Sequence, residues 1–270
     1  MNNVASYQYQ TLQVSVQHGI LILSLNRPDK KNAMSFAMMR ELILVAKRVA
    51  ADKYIRAVIV DGSEHTFCSG IDLQDLNAPK NQAFAIWELI KPWQSLFQKV
   101  CLIWQDLPVP VIGVLEGHCL GAGLQLALAF DSRISHPDCK FAIMEAKWGL
   151  VPDMGLSQSA VGIVRLDVLK ELAMSARVID SSTALKAGLI SHCHKDPMAA
   201  ALALSEEIIA RSPDAVLASK RVVNQLYSPN PISLYQEKLW QLKLMLGRNQ
   251  KLAVKKAKEA SVKFKPRQFR

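Results

Sequence analysis

No apolar run in this chain is long enough to cross a bilayer. The most apolar stretch, Cys119–Phe130, is 12 residues long and already contains Gln125, against the roughly 18 or more apolar residues a membrane span needs. Met1–Leu25 has no basic residue ahead of the short apolar stretch Ile20–Leu25, which excludes a signal-peptide pattern. The expectation is a soluble protein with no membrane insertion. Cysteine is scarce: five residues, an odd number, at 68, 101, 119, 139 and 193, never spaced C-x-x-C. That excludes a disulfide framework and a zinc module and points to reduced thiols in the cytoplasm. With only 12 Gly and 12 Pro, collagen-like and disordered classes are excluded as well. There is no G-x-G-x-x-G, no P-loop and no G-x-S-x-G, so neither dinucleotide binding nor a nucleophile elbow has motif support. Internal repeats and low-complexity segments are also lacking. The six His are scattered; His192 and His194 flank Cys193, but alternate residues on a strand face both ways, so no shared metal is expected.

What is present is ordinary globular material, 50% hydrophobic and 21% charged over 270 residues, enough for one large domain or a core with an appendage. The net charge of +10 is uneven. Lys251–Arg270 carries eight basic residues against Glu259 alone, a net +7, leaving +3 for the other 250. Such a tail either is a solvated helix face or attracts nucleic acid, an anionic surface or a phosphorylated ligand. No aromatic-interleaved stacking platform or recognition motif supports nucleic acid.

Leu12–Val16 and Ile20–Leu25 read as strands joined at His18-Gly19. Ser35 is placed to cap a helix running to about Ala51, with Met38, Met39, Leu42, Val45 and Val49 on its apolar side. A buried strand follows at Ala57–Val60, then a helical region, Gln82–Gln105, bent or broken at Pro92. Val109–Leu115 forms a strand, Gly121-Ala122-Gly123 opens an apolar helix to Phe130, and Ser132–Ser135 and Lys140–Ile143 are strand candidates. This alternation predicts an α/β fold with crossover units. Beyond about Pro197 the pattern is helical only, near Met198–Arg211, Asp214–Leu226, Ser233–Leu246 and Lys251–Val262. The expected division is therefore residues 1–196 as core and 197–270 as a helical module.

Two glycine-bearing turns follow strands. One is Phe67-Cys68-Ser69-Gly70-Ile71-Asp72; the other is Glu116–Gln125, which contains Gly117, Gly121 and Gly123. Small residues there let either a ligand or a neighbouring backbone approach closely, and the second turn opens a helix, whose N-terminus favours negative charge. The run Ile112–Asp131 resembles the signature of the enoyl-CoA hydratase/isomerase (crotonase) family. Asn26-Arg27-Pro28 with Asn32-Ala33, Ser69-Gly70-Ile71-Asp72, Ala187-Gly188-Leu189 and the terminal Lys263-Phe264-Lys265-Pro266-Arg267 fall around it in family order. One departure lies inside the signature, where Phe130 replaces a usual small residue. The resemblance implies a spiral of ββα turns with a C-terminal helical module that builds trimers or pairs of trimers. It implies an acyl-CoA substrate whose thioester oxygen is held by the N–H groups of Ile71 and Ala122. Arg27, Ser69, Gly70, Asp72, Gly121 and Trp148 are then expected around the substrate, with the phospho-adenosine end of CoA near the Asn26-Arg27-Pro28 turn and the basic C-terminal region. No metal or redox cofactor is implied, coenzyme A being part of the substrate.

Family hydratases carry two glutamates facing the substrate. The later position corresponds to Glu145, the earlier one to Gln125. Glutamine can position water or a substrate amide, but it cannot serve as a general base. One carboxylate suffices to move a 3-enoyl double bond into conjugation, taking a proton from C2 and returning it at C4. The leading expectation is thus double-bond isomerisation with Glu145 as the single acid/base; the alternative is hydration with Gln125 positioning water. Asp153 keeps a third option open, because family dienoyl-CoA isomerases carry an Asp at that place. It either relays protons with Glu145 or caps the helix after Met154. A catalytically silent acyl-CoA-binding protein is the contrasting class.

Overall fold

The structure, a computed structural model, describes residue 4 and residues 7–227, 243–244, 246–256 and 258–269. Strands β1 (Leu12–Gln17) and β2 (Ile20–Leu25) form an antiparallel hairpin. Its two turn residues, His18 and Gly19, both have positive φ, as the right-handed twist of a two-residue hairpin requires. From β2 the sheet continues in parallel through β3 (Ala57–Gly62), β4 (Val111–Leu115), β6 (Ser132–Ser135) and β9 (His192–Cys193). A smaller sheet joins β5 (His118–Leu120), β7 (Lys140–Ala142) and β8 (Ile179–Asp180).

Parallel strands covered on both faces read as unbroken apolar runs, and the side chains here divide accordingly. Leu21, Leu23, Leu25, Val58, Val60, Val111 and Leu115 face the main core, which also takes Met38, Met39, Leu42, Val45 and Val49 of helix α1 (Phe36–Ala51). Ile20, Ala57, Ile59, Ile112, Val114 and Ile134 face the other way, against Ala201, Met198 and Leu202 of helix α9 (Pro197–Ile209). The first helix of the expected C-terminal module is thus a covering layer of the sheet. Ser35 caps α1 by accepting from Met38 N–H.

The helical region after β3 is split into α2 (Leu73–Leu76), α3 (Pro79–Ile90) and α4 (Leu96–Leu102). The break surrounds Pro92, and a Ser95–Gln98 capping box restarts the chain, as expected of proline and a fresh N-cap. The strand expected from Val109 begins at Val111, and Pro110 serves only as an acceptor, for Val58 N–H. The helix expected to reach Phe130 is α5 (Ala122–Leu128). Phe130 itself is buried, edge-on to Phe67 and Trp104. Its ring lies where a side chain at Gly113 would sit, Cδ2 being 2.8 Å from a Cβ built there. The large residue in the signature is therefore matched by an absent one on β4.

After β7 come α6 (Leu156–Ser159), α7 (Leu166–Ser175) and α8 (Ser181–Ala187), and after α9 comes α10 (Pro213–Asn224). The expected helix Ser233–Leu246 lies almost wholly outside the described residues. The one expected over Lys251–Val262 is instead Arg248–Lys256. From there residues 263–269 return to the core. Asn249 donates to Asp214 and accepts from Lys265 N–H, and buried Arg267 donates to the carbonyls of Ala50 and Asp52 at 2.6 and 3.0 Å.

Candidate active site

The two glycine turns are stitched together by backbone. Cys68 N–H donates to His118 O at 2.7 Å and Leu120 N–H to Cys68 O at 3.0 Å, while Met34 N–H donates to Gly70 O at 2.8 Å and Asp72 N–H to Met34 O at 3.0 Å. This ladder leaves Ile71 N–H without an acceptor among the described residues. Ala122 N–H, the first of α5, likewise has none, as the first turn of any helix lacks internal acceptors. Gly121 precedes it at φ 49°, ψ −115°, a conformation strained for a residue with a Cβ. A Cβ built there would lie 3.6 Å from Glu145 Oε1 and 3.9 Å from Gly70 Cα. Gly70, Gly121 and Glu145 are therefore neighbours in space.

Glu145 opens a 3-10 turn, Glu145–Trp148, just after β7. Its Oε1 accepts from Gln125 Nε2 at 2.7 Å, and its Oε2 is buried with no hydrogen-bond partner. Gln125, fully buried on α5, uses its other end to accept from Met154 N–H at 3.0 Å. A backbone N–H can only donate, so the amide oxygen must face Met154 and the NH₂ must face Glu145. Burial pushes the Glu145 carboxyl above its ordinary value, against the opposing pull of its own backbone amide and of Gln125, and the charge of Asp153 adds to the rise. Asp153 is exposed, and desolvation also raises its carboxyl, opposed by its own backbone amide. Cys101 on α4, fully buried, is pushed well up by desolvation first, with Asp153 and Glu145 among the charges acting on it. Cys101 and the Met154 amide thus belong to this neighbourhood, and no pattern in the sequence marks either.

Three of the remaining candidates, Arg27, Ser69 and Asp72, gather at the base of the first turn. Arg27 donates to Asp72 Oδ2 at 2.8 Å and to Ala33 O at 2.6 Å. Asp72 in turn caps α2 by accepting from Gln74 and Asp75 N–H. Burial raises the Asp72 carboxyl, but Arg27 and these amides outweigh it and hold the group below its usual value. Ser69 is tied through N–H to Lys31 O at 3.0 Å and through Oγ to Lys30 O at 3.4 Å. Trp148, at the far end of the 3-10 turn, is 58% exposed. A cavity of about 430 Å³ lined by His18, Lys53, Tyr54, Arg56, Phe264 and Lys265 includes none of these residues. It adjoins the start of β2, whereas Arg27 follows its end. Among the described residues no cluster of His, Cys, Asp and Glu is placed to hold a metal ion.

Residues 15–260 match the model of the enoyl-CoA hydratase/isomerase family. The chain belongs to that family. It is 36% identical over 235 residues to the mitochondrial Delta(3,5)-Delta(2,4)-dienoyl-CoA isomerase of Mus musculus, covering 83% of this chain and 71% of the relative. It is 33% identical over 214 residues to the mitochondrial methylglutaconyl-CoA hydratase of Mus musculus, covering 77% and 66%. The crystal structure of an enoyl-CoA hydratase from Bacillus anthracis matches with a TM-score of 0.85 at 24% identity, over 96% of this chain and 98% of that one. The fold is thus the crotonase-like α/β fold expected from the signature. No helix among the described residues is long and apolar enough to cross a membrane.

Proposed function

We propose that this enoyl-CoA hydratase/isomerase family member moves the double bond of a fatty enoyl-CoA thioester through an enolate, with Glu145 as its acid/base. One observation carries the choice of isomerisation: Gln125 and Glu145 touch directly, at 2.7 Å. A water held between two side chains needs them about 5 Å apart, two hydrogen-bond lengths bent at the oxygen. The contact closes that place, and the residue at 125 has no proton to exchange. In the proposed step the unpaired Oε2 of Glu145 takes the C2 proton of a 3-enoyl thioester. The electron pair moves onto the thioester oxygen, facing the N–H groups of Ile71 and Ala122. The same proton returns at C4, leaving a 2-enoyl thioester. Each such amide contributes about 2.7–4 kcal/mol of barrier lowering in comparable sites. The upward displacement of the Glu145 carboxyl by burial brings it toward the working pH, as a general base requires.

A second reading is favoured by Asp153 and by the dienoyl-CoA isomerase relative. Converting a 3,5-dienoyl to a 2,4-dienoyl thioester takes a proton from C2 and adds one at C6, too far apart for one carboxylate, so Glu145 and Asp153 would divide the work. Hydration is the weaker alternative, since the direct contact of Gln125 with Glu145 leaves no room for a water between the two. The same proposal includes phospho-adenosine recognition near the Asn26-Arg27-Pro28 turn by the exposed Lys30 and Lys31, Arg27 being held by Asp72. It also includes a trimer or pair of trimers, supported by exposed apolar residues such as Leu166, Met174 and Leu226, and a cytoplasmic location, supported by five free thiols.

The test offers 3-enoyl-, 3,5-dienoyl- and 2-enoyl-CoA to the protein and to its Glu145→Gln and Asp153→Asn variants, following conjugation and hydration. Migration of the 3-enoyl bond, lost in Glu145→Gln and kept in Asp153→Asn, supports the single-base reading. Turnover of only the dienoyl ester, lost in both variants, supports the second. Hydration of the 2-enoyl ester as the dominant reaction overturns both, and tight calorimetric binding without turnover makes the protein a binder.

A further inference from the structure

We infer that Gln125 is a positioning residue, a neutral strut that fixes which oxygen of Glu145 handles the proton and how far that carboxylate stands from the loop bearing Asp153. The inference rests on the isomerase reading and deepens it. Gln125 is completely buried, and its amide spans two groups distant in sequence. Nε2 donates to Glu145 Oε1 and Oε1 accepts from Met154 N–H. With Oε1 engaged, Oε2 of Glu145 is left buried and without a hydrogen-bond partner, and we assign the proton transfer to it. The second contact ties down the end of a partly exposed loop: Leu150 and Val151 are exposed, while Met154 is buried beside Gly155, itself packed on Leu102. Asp153 sits between these two regimes. Glutamine is suited to the task because one end must accept and the other donate; glutamate would turn an acceptor toward an acceptor. Of the other titratable groups in this neighbourhood, Asp153 disfavours a second negative charge, while burial keeps the Cys101 thiol protonated and uncharged.

Gln125→Glu is nearly isosteric. It keeps the packing and the acceptor for Met154 N–H, and changes only the end that meets Glu145. Two carboxyl groups at hydrogen-bond distance share one proton, so the acid limb of the kcat/KM profile is expected to move at least about one pH unit upward. On the acid limb, where the rate follows the ionised fraction of the pair, kcat is expected to fall about tenfold, with KM within about threefold. Gln125→Leu removes the donor that favours the charged form and should shift the limb in the same direction. In a solved structure of that variant, residues 149–155 should be displaced. Glu145→Gln serves as the reference. If it abolishes isomerisation while both Gln125 variants keep the parental pH profile and kcat, the strut is refuted and the isomerase reading stands. If Glu145→Gln retains activity, the isomerase reading itself fails. A Gln125→Leu protein too unstable to assay leaves Gln125→Asn to decide: its amide is neutral but one methylene too short to span Glu145 Oε1 and Met154 N–H together, so a folded Gln125→Asn protein with the parental pH profile refutes the strut.

Discussion

Gly123→Ala is the sharpest perturbation available, because it acts between the two turns without touching a chemical group. A Cβ at residue 123 would lie 2.6 Å from Cys68 Cβ, 3.0 Å from Cys68 O and 3.1 Å from Cys68 Sγ. Carbon atoms in contact settle near 3.5–4.0 Å, so the start of α5 and the Cys68–Ile71 turn must part by about 1 Å. Two effects on stability oppose each other. Alanine is favoured over glycine within a helix by about 1 kcal/mol, whereas overpacking costs about 1–3 kcal/mol. The net loss is therefore expected to be small, about 0–2 kcal/mol, or a Tm lower by a few degrees. Catalysis should respond far more. Ile71 N–H and Ala122 N–H lie on the two parting elements, donors to an oxyanion must stand about 2.7–3.1 Å from it, and a 1 Å misplacement costs about 100-fold. The expected result is a folded protein with kcat lower by about 100-fold. Pairing it with Cys68→Gly, which removes two of the three close contacts, should recover part of that loss. Calorimetry and initial rates on a 3-enoyl thioester suffice. A folded Gly123→Ala protein with kcat within threefold of the parent refutes the claim that the two turns act through their spacing.

Two further outcomes follow from buried charge. Burial raises the Glu145 carboxyl above its ordinary 4.5, so the folded state binds that proton more tightly than the unfolded chain. The associated stability is full below the ordinary value and is lost as pH rises through the folded one. Glu145→Gln should therefore gain Tm relative to the parent on going from acid to neutral pH while losing turnover; a pH-independent difference contradicts this. Arg267→Ala strips the donor from Ala50 O and Asp52 O at the end of α1 and should cost about 3 kcal/mol, measured by urea unfolding. If it instead weakens CoA binding at unchanged stability, Arg267 belongs to the ligand site.

The parts of the fold that were legible in the sequence are those set by neighbours along the chain. Ser35 three residues ahead of Met38, the apolar face of α1 and the break at Pro92 each follow from local rules, and the structure bears them out. The two-faced burial of β3 was readable from its unbroken apolar run. The three residues of β5 were not, because they become a strand only by pairing with β7. Nor was the fate of Arg267. In a tail of eight basic residues it reads as one more solvated charge, yet its partners are carbonyls more than 200 residues earlier. Phe130 stood out as a departure, but only Gly113, opposite it in space, explains how the ring fits.

The same distinction governs the site. Composition shows that Gln125 is not an acid, and from that alone the change reads as a loss. In space it is an exchange. Position 125 is fully buried and lies 2.7 Å from Glu145, where a second ionised carboxylate would force one of the pair to stay protonated. A neutral amide avoids that, holds one oxygen of Glu145 and leaves the other buried without a hydrogen-bond partner. On the proposed isomerase reading, one base with a fixed direction takes the place of a pair that could hold water between two acids, as a proton shuttle from C2 to C4 requires. Isomerisation is favoured over hydration on that reading not by the number of carboxylates lining the site but by the direct contact that keeps a water from standing between positions 125 and 145.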